Sequence, residues 1–125
     1  MKRTIVVTMA ALAGAAVVAS GAGAKDGDVE VAGTCTGASR VELDLSREDG
    51  GIEVELEVDQ NRNGVRWTVQ LQRNGVLVGK RVKVTRGPSG SFEARFVTRN
   101  GPGVDRFVAR ATRPGERCVA RASFA

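Results

Sequence analysis

The sequence predicts an all-β chain folded as a single antiparallel β-sandwich. Three observations carry that expectation. Short apolar stretches alternate with polar residues at a period of two, which sorts them onto the two faces of a strand. Turn signals rich in Gly, Pro and Asn separate these stretches at short intervals. No stretch after residue 24 holds helical spacing over more than two turns. Seven or eight short strands in about a hundred residues suit a sandwich, with a small β-barrel as the alternative.

The 125-residue chain begins with a segment that reads as a secretory signal. Lys2 and Arg3 form a basic start, and Ile5 to Ala19 is apolar and rich in Ala and Val. Ala22-Gly23-Ala24 has the small-x-small form of a cleavage site, so the cut is expected after Ala24. The apolar run falls short of the ~20 residues that span a bilayer, which argues against an anchor. Cys35 follows Thr34 well downstream, which argues against a lipoprotein. Residues 25–125 then form one domain, with no membrane span once the signal is removed. A domain of that size buries a modest core, and a covalent staple helps it. Its two cysteines, Cys35 and Cys118, are expected to form one disulfide in a secreted chain. Two thiols without His or CxxC spacing make a poor zinc site.

The elements follow in order. Lys25 to Glu30 is a short charged leader, and Val29 to Thr36 a first edge strand carrying Cys35. Val41, Leu43 and Leu45 alternate with Glu42, Asp44 and Ser46 in a second strand. Ile52, Val54, Leu56 and Val58 alternate with Glu53, Glu55, Glu57 and Asp59 in a third. Val65, Trp67, Val69 and Leu71 alternate with Arg66, Thr68, Gln70 and Gln72 in a fourth. The third and fourth read as a hairpin about Asp59–Gly64, with the Glu row facing Arg66, Thr68 and Gln70. Asn74-Gly75 is a strong two-residue hairpin signal, because both residues tolerate positive φ. It places Leu71 opposite Val78, with a slip near Gly79-Lys80 that marks a bulge or an exposed edge. Gly87-Pro88-Ser89-Gly90 is a turn, and Phe92, Ala94 and Phe96 line the inner side of strand six. After the loop Asn100 to Gly103, Phe107, Ala109 and Ala111 mark strand seven. Past Pro114-Gly115, Cys118, Ala120, Ala122 and Phe124 mark the last strand.

Signal peptide, Gly33-Thr34-Cys35-Thr36 start, Val58-Asp59-Gln60-Asn61-Arg62-Asn63-Gly64 segment, Pro88-Ser89-Gly90-Ser91-Phe92 segment and late Cys118 form a layout. It resembles small, largely uncharacterised secreted proteins of actinobacteria. The resemblance covers most of residues 25–125. It implies an immunoglobulin-like or similar sandwich and carries over no activity and no catalytic residue. With no Tyr, the chain lacks the tyrosine corner of true immunoglobulin domains. Its cysteines also lie on the outermost strands, not on two central strands of facing sheets.

Charge is unevenly spread. Residues 25–59 carry eleven acidic and three basic residues, and residues 60–125 carry three acidic and fourteen basic. Such a basic segment suits an anionic partner such as cell-wall polymer, nucleic acid or lipid head groups. The favoured expectation is that acidic and basic strands lie side by side and pair across the sheet.

The chemistry on offer is limited. No His and no Tyr are present, which removes Ser–His–Asp and Cys–His machinery and imidazole metal sites. The Glu53, Glu55 and Glu57 row reads as a solvated strand face. No catalytic residue, no cofactor and no enzyme activity are expected. Asp59, Asn61, Asn63 and Gly64 match the first half of a calcium loop. Position twelve is Gln70 and Arg62 adds a positive charge, so the expectation is a turn and no metal. All five aromatic residues after the signal share inward parity, which disfavours carbohydrate and nucleic-acid binding. The function expected is a secreted, non-catalytic module, structural or binding an extracellular or cell-surface protein. One alternative is a protease-inhibitor-like protein presenting Arg86–Ser91 or Arg99–Val104. The other is a calcium-dependent surface module using Asp59–Gly64.

Overall fold

The computed structural model describes residues 27–124; the expected signal segment and the expected cleavage position Ala24 lie outside them. Nine strands follow one another: β1 (Val29–Ala32), β2 (Thr34–Cys35), β3 (Arg40–Glu48), β4 (Gly51–Asp59), β5 (Arg66–Arg73), β6 (Val76–Val84), β7 (Ser91–Arg99), β8 (Asp105–Arg113) and β9 (Glu116–Phe124). They form two antiparallel sheets, ordered β1-β3-β4-β7 and β2-β9-β8-β5-β6. The sheets face each other as an open sandwich rather than a closed barrel.

The alternating apolar sets meet between the sheets. Leu43, Leu45, Ile52, Val54, Leu56 and Val58 from the first sheet are buried. Trp67, Val69, Leu71, Phe107, Ala109, Ala111 and Ala120 fill the core from the second. The small Ala rows of β8 and β9 stand opposite one another, Ala109 against Ala120 and Ala111 against Cys118. The long aromatic rings Trp67, Phe92, Phe96, Phe107 and Phe124 are buried among them.

Three pairings differ from the sequence expectation. First, β4 and β5 are not a hairpin, because they belong to different sheets. β4 pairs with β3 and β7, while β5 pairs with β6 and β8. Alternation fixes which side of a strand is buried, but not its neighbour. A connection across the sandwich keeps both apolar sets inward as well as a hairpin does. Backbone bonds hold this crossing: Gln60 N and Asn61 N donate to the Gly90 carbonyl, and Gly64 N donates to the Thr85 carbonyl. Glu53, Glu55 and Glu57 therefore do not face Arg66, Thr68 and Gln70.

Second, the first strand breaks at Gly33, leaving β1 in one sheet and β2 in the other. A Cβ at Gly33 would sit 2.2 Å from the Val119 carbonyl oxygen and 2.7 Å from the Ala120 Cβ. Only a glycine lets the chain step so closely past β9 between the sheets. Third, Leu71 faces Gly79 rather than Val78, because a bulge between Leu71 and Gln72 leaves Val78 as the extra residue. The Asn74-Gly75 turn itself stands as expected, with φ of 50° and 85°.

Candidate functional site: two faces of opposite charge

The outward parities of the two sheets carry opposite charge. In the first sheet Glu30 stands opposite Asp44, Asp44 opposite Glu55, Glu42 opposite Glu57 and Glu57 opposite Glu93. Arg95 makes an ion pair with Glu53 at the margin of this field. The second sheet turns outward Arg66, Arg106, Arg110, Arg117, Arg121 and Lys80, with no carboxylate among them. Its two acids, Asp105 and Glu116, are buried instead. The expected side-by-side neutralisation of acidic and basic strands is thus not what the sheets do. Consecutive acidic strands β3 and β4 pair with one another, and like charges directly opposite repel.

Burial, and after it this repulsion, shows in proton affinity. Burial, then the charges of Glu42, Glu30 and Glu55, push Asp44 from its ordinary 3.8 up to about 7. Asp44 Oδ1 is buried and has no hydrogen-bond partner. Burial and the Glu93 carboxylate push Glu55 and Glu57 up as well. Glu53 is held below its ordinary value by its hydrogen bond from Arg95. For a group raised in the folded state, the native chain holds the proton after the unfolded chain has released it. Asp44 therefore lowers stability as pH rises from about 4 to about 7, and adds no slope above that. The variant Asp44→Asn should flatten the fall in denaturant midpoint across that window. An unchanged slope would show that Asp44 titrates normally.

The buried acids of the second sheet have structural partners. Glu116 Oε2 accepts from Ser39 N at 3.0 Å, and Oε1 accepts from the Ser39 hydroxyl at 2.9 Å and from Arg113 Nη2 at 3.2 Å. Burial alone pushes Glu116 up, but these bonds bring it below its ordinary value. Arg73 Nε donates to Asp105 Oδ1 at 2.9 Å. Alternation places both acids on the inward side at strand starts, yet their ion pairs depend on tertiary placement.

The residues singled out from the sequence fall as follows. Cys35 and Cys118 stand directly opposite on β2 and β9 and are bonded. Asp59 ends β4, and its Oδ1 accepts from Asn61 N at 3.1 Å. Asn61 and Gly64 take positive φ, 60° and 81°. Val65, at position seven of a calcium loop, gives its carbonyl to Thr85 N at 2.9 Å. Gly90 presses on this segment so closely that a Cβ there would lie 2.1 Å from Arg62 N. The oxygens of Asp59 and Val65 thus close a turn braced against the β6–β7 connection. Three carboxylates not singled out beforehand, Glu30, Glu42 and Asp44, bring oxygens within 4.8 Å of one another. Cys35, Cys118 and Glu116 also cluster, but both sulfurs are committed to the disulfide. Arg86–Ser91 is a closed turn, with Arg86 N donating to the Ser91 carbonyl and Gly90 N to the Arg86 carbonyl. That shape is not the extended strand a protease cleft receives. Arg99–Val104 leaves β7 through an exposed stretch, with φ of 82° at Gly103.

One more surface was not read from the sequence. Among the described residues seven large apolar side chains are exposed, and five of them lie on β6: Val76, Leu77, Val78, Val82 and Val84. β6 is an edge strand, so one side of its backbone has no strand neighbour. Its inward positions, Gly79, Arg81 and Lys83, do not fill core. The Arg81 guanidinium lies 4.4 Å from the centre of the Phe96 ring and closes the gap between sheets.

Fold and surface together define a class: an open two-sheet antiparallel sandwich, stapled within one sheet, with outer faces of opposite charge. Comparison with protein-family models, curated proteins and solved structures finds no match to this chain.

Proposed function

We propose that this chain is a secreted, non-catalytic β-sandwich module that binds another protein at the cell surface or outside the cell. The observation that carries this reading is β6, an exposed edge strand holding most of the exposed large apolar side chains among the described residues. Exposed apolar clusters on a folded surface mark contact sites. An edge strand offers main-chain donors and acceptors to an extended segment of a partner. The bulge at Val78 and the charges of Lys80, Arg81 and Lys83 guard this edge against indiscriminate pairing. A partner segment therefore has to complement them. The absence of His and Tyr supports the non-catalytic part. The disulfide suits an oxidising compartment, and no helix among the described residues is long and apolar enough to cross a membrane. The order β9-β8-β5-β6 supports an immunoglobulin-like reading, in which these strands stand as G, F, C and C′.

The test is affinity capture with residues 25–125 from the organism's own culture medium and cell envelope. A parallel bait carries Leu77→Glu and Val82→Glu, both at exposed positions. A protein held by the unaltered bait should be lost from the variant. The same proteins on both baits would overturn the role of β6.

A further inference from the structure

We infer that the outer face of the β8–β9 pair is a binding site for a phosphate-bearing polymer, read through its phosphates. This site is separate from the β6 edge and does not depend on it. Arg106 and Arg110 lie four apart on β8, and Arg117 and Arg121 four apart on β9. The antiparallel register interleaves them. Arg117 faces Thr112, Arg110 faces Val119, Arg121 faces Val108 and Arg106 faces Ser123. Moving along the ladder, an arginine appears every second residue pair, from alternating strands. That is one guanidinium roughly every 6.6–6.8 Å along the strand direction, of the order of one repeat of an extended phosphodiester chain or of two repeats of a phosphoanhydride chain.

Each arginine stands opposite a neutral side chain, so no like charges are paired across the ladder. All four are exposed, and among the described residues none makes an ion pair. Arg110 donates to Gln72 Oε1 at 3.1 Å. Two adjoining depressions follow the ladder. One of about 360 Å³ is lined by Arg110, Arg117, Arg121 and the threonines Thr34, Thr36 and Thr112. The other, of about 400 Å³, shares Arg121 and is lined by Arg106 and Ser123 together with the apolar Val31, Phe107, Val108 and Ala122.

The donors select the ligand class. A carboxylate offers two oxygens, whereas a tetrahedral oxyanion meets several guanidinia and hydroxyls at once. Phosphate oxygens are more basic than those of sulfate esters and take stronger hydrogen bonds from these donors. The repeat of the ladder asks for a chain of such groups rather than a single ion. Every aromatic ring of the described chain is buried, so no platform exists for stacking bases. Binding through phosphates alone loses affinity steeply as salt rises.

The experiment titrates residues 25–125 with long-chain inorganic polyphosphate at several salt concentrations. Heparin, poly-glutamate and a single-stranded oligonucleotide serve as comparison polymers at equal charge concentration. The double variant Arg110→Ala/Arg121→Ala is compared with Arg62→Ala/Arg99→Ala, which removes equal charge elsewhere. Denaturant melts check that both variants fold. The expected result is salt-sensitive polyphosphate binding, weakened at least tenfold by the ladder variant and less than threefold by the other. Equal weakening by both variants would reduce the effect to net charge and overturn the site. Tighter binding of heparin or poly-glutamate than of either phosphate polymer, polyphosphate or the oligonucleotide, would overturn the ligand class. No binding at 50 mM salt and micromolar protein, or polymer-free self-association abolished by the ladder variant, would also overturn it. The last result would assign the face to the acidic sheet of a second copy.

Discussion

Trp67→Ala is expected to lower the stability of the domain by about 3–5 kcal/mol, the usual cost of emptying an aromatic site in a core. Trp67 is fully buried on β5 and its ring packs against Phe92, with centroids 6.1 Å apart. The Arg113 guanidinium lies 5.5 Å from the centre of the ring. Trp67 Nε1 donates to Gln60 Oε1 at 2.9 Å, which ties the core to the connection between the two sheets. Truncation therefore leaves a cavity, strips Arg113 of an aromatic neighbour and leaves Gln60 without its donor. A domain of this size has only about 5–15 kcal/mol in total. The exposed neighbour Arg66 makes no ion pair with the Glu row, so Arg66→Ala should stay within about 0.5 kcal/mol. Denaturant melts read the difference as a shift in midpoint at constant slope. Native emission should be blue and poorly quenched. A red-shifted, freely quenched Trp67 with a near-neutral alanine variant would place the ring on the surface.

How far the sequence carried the fold is clearest at that same strand. Period two placed Trp67, Val69 and Leu71 inward and Arg66 outward, because burial of one side is a local property of a strand. Pairing is not local. The six residues 60–65 join β4 to β5 across the sandwich, yet their Asn and Gly residues look like those of a hairpin turn. Asn61 and Gly64 do adopt positive φ, so the turn chemistry was read correctly and its topology was not. The charged faces were hidden for the same reason. Glu42 and Glu57 are visible as outward residues, but their opposition across β3 and β4 depends on register. The arginine ladder likewise consists of two R-x-x-x-R spacings that become one array only when β8 and β9 are aligned. Gly33 is a different case. Nothing local distinguishes it from a loop glycine; its necessity comes from the Val119 carbonyl, which is distant in sequence.

Loss of the Cys35–Cys118 bond is the second large expected effect. The bond closes a span of 83 residues, for which the chain-entropy account gives about 4–5 kcal/mol, and native disulfides in small domains typically cost 2–5 kcal/mol when removed. Local structure explains why the native side feels it too. β2 has only two residues at the margin of its sheet, paired as Thr34 with Val119 and Cys35 with Cys118. Beyond these, Thr36 N donates to the Arg117 carbonyl, Arg117 N to the Thr36 hydroxyl, and Gly33 N to the Val41 carbonyl. So short an edge is marginal without its covalent tie. Cys118 is buried at 2% exposure, so a serine there adds the cost of an enclosed hydroxyl. The alanine pair Cys35→Ala/Cys118→Ala removes that contribution and isolates the cross-link. Both pairs should lower the denaturant midpoint, the serine pair further. Both should raise the slope, because an unfolded chain freed of its cross-link exposes more surface. Denatured, unreduced protein should show no titratable thiol, and two after reduction. Two thiols before reduction, or unchanged midpoints in both variants, would remove the staple from the account of this fold.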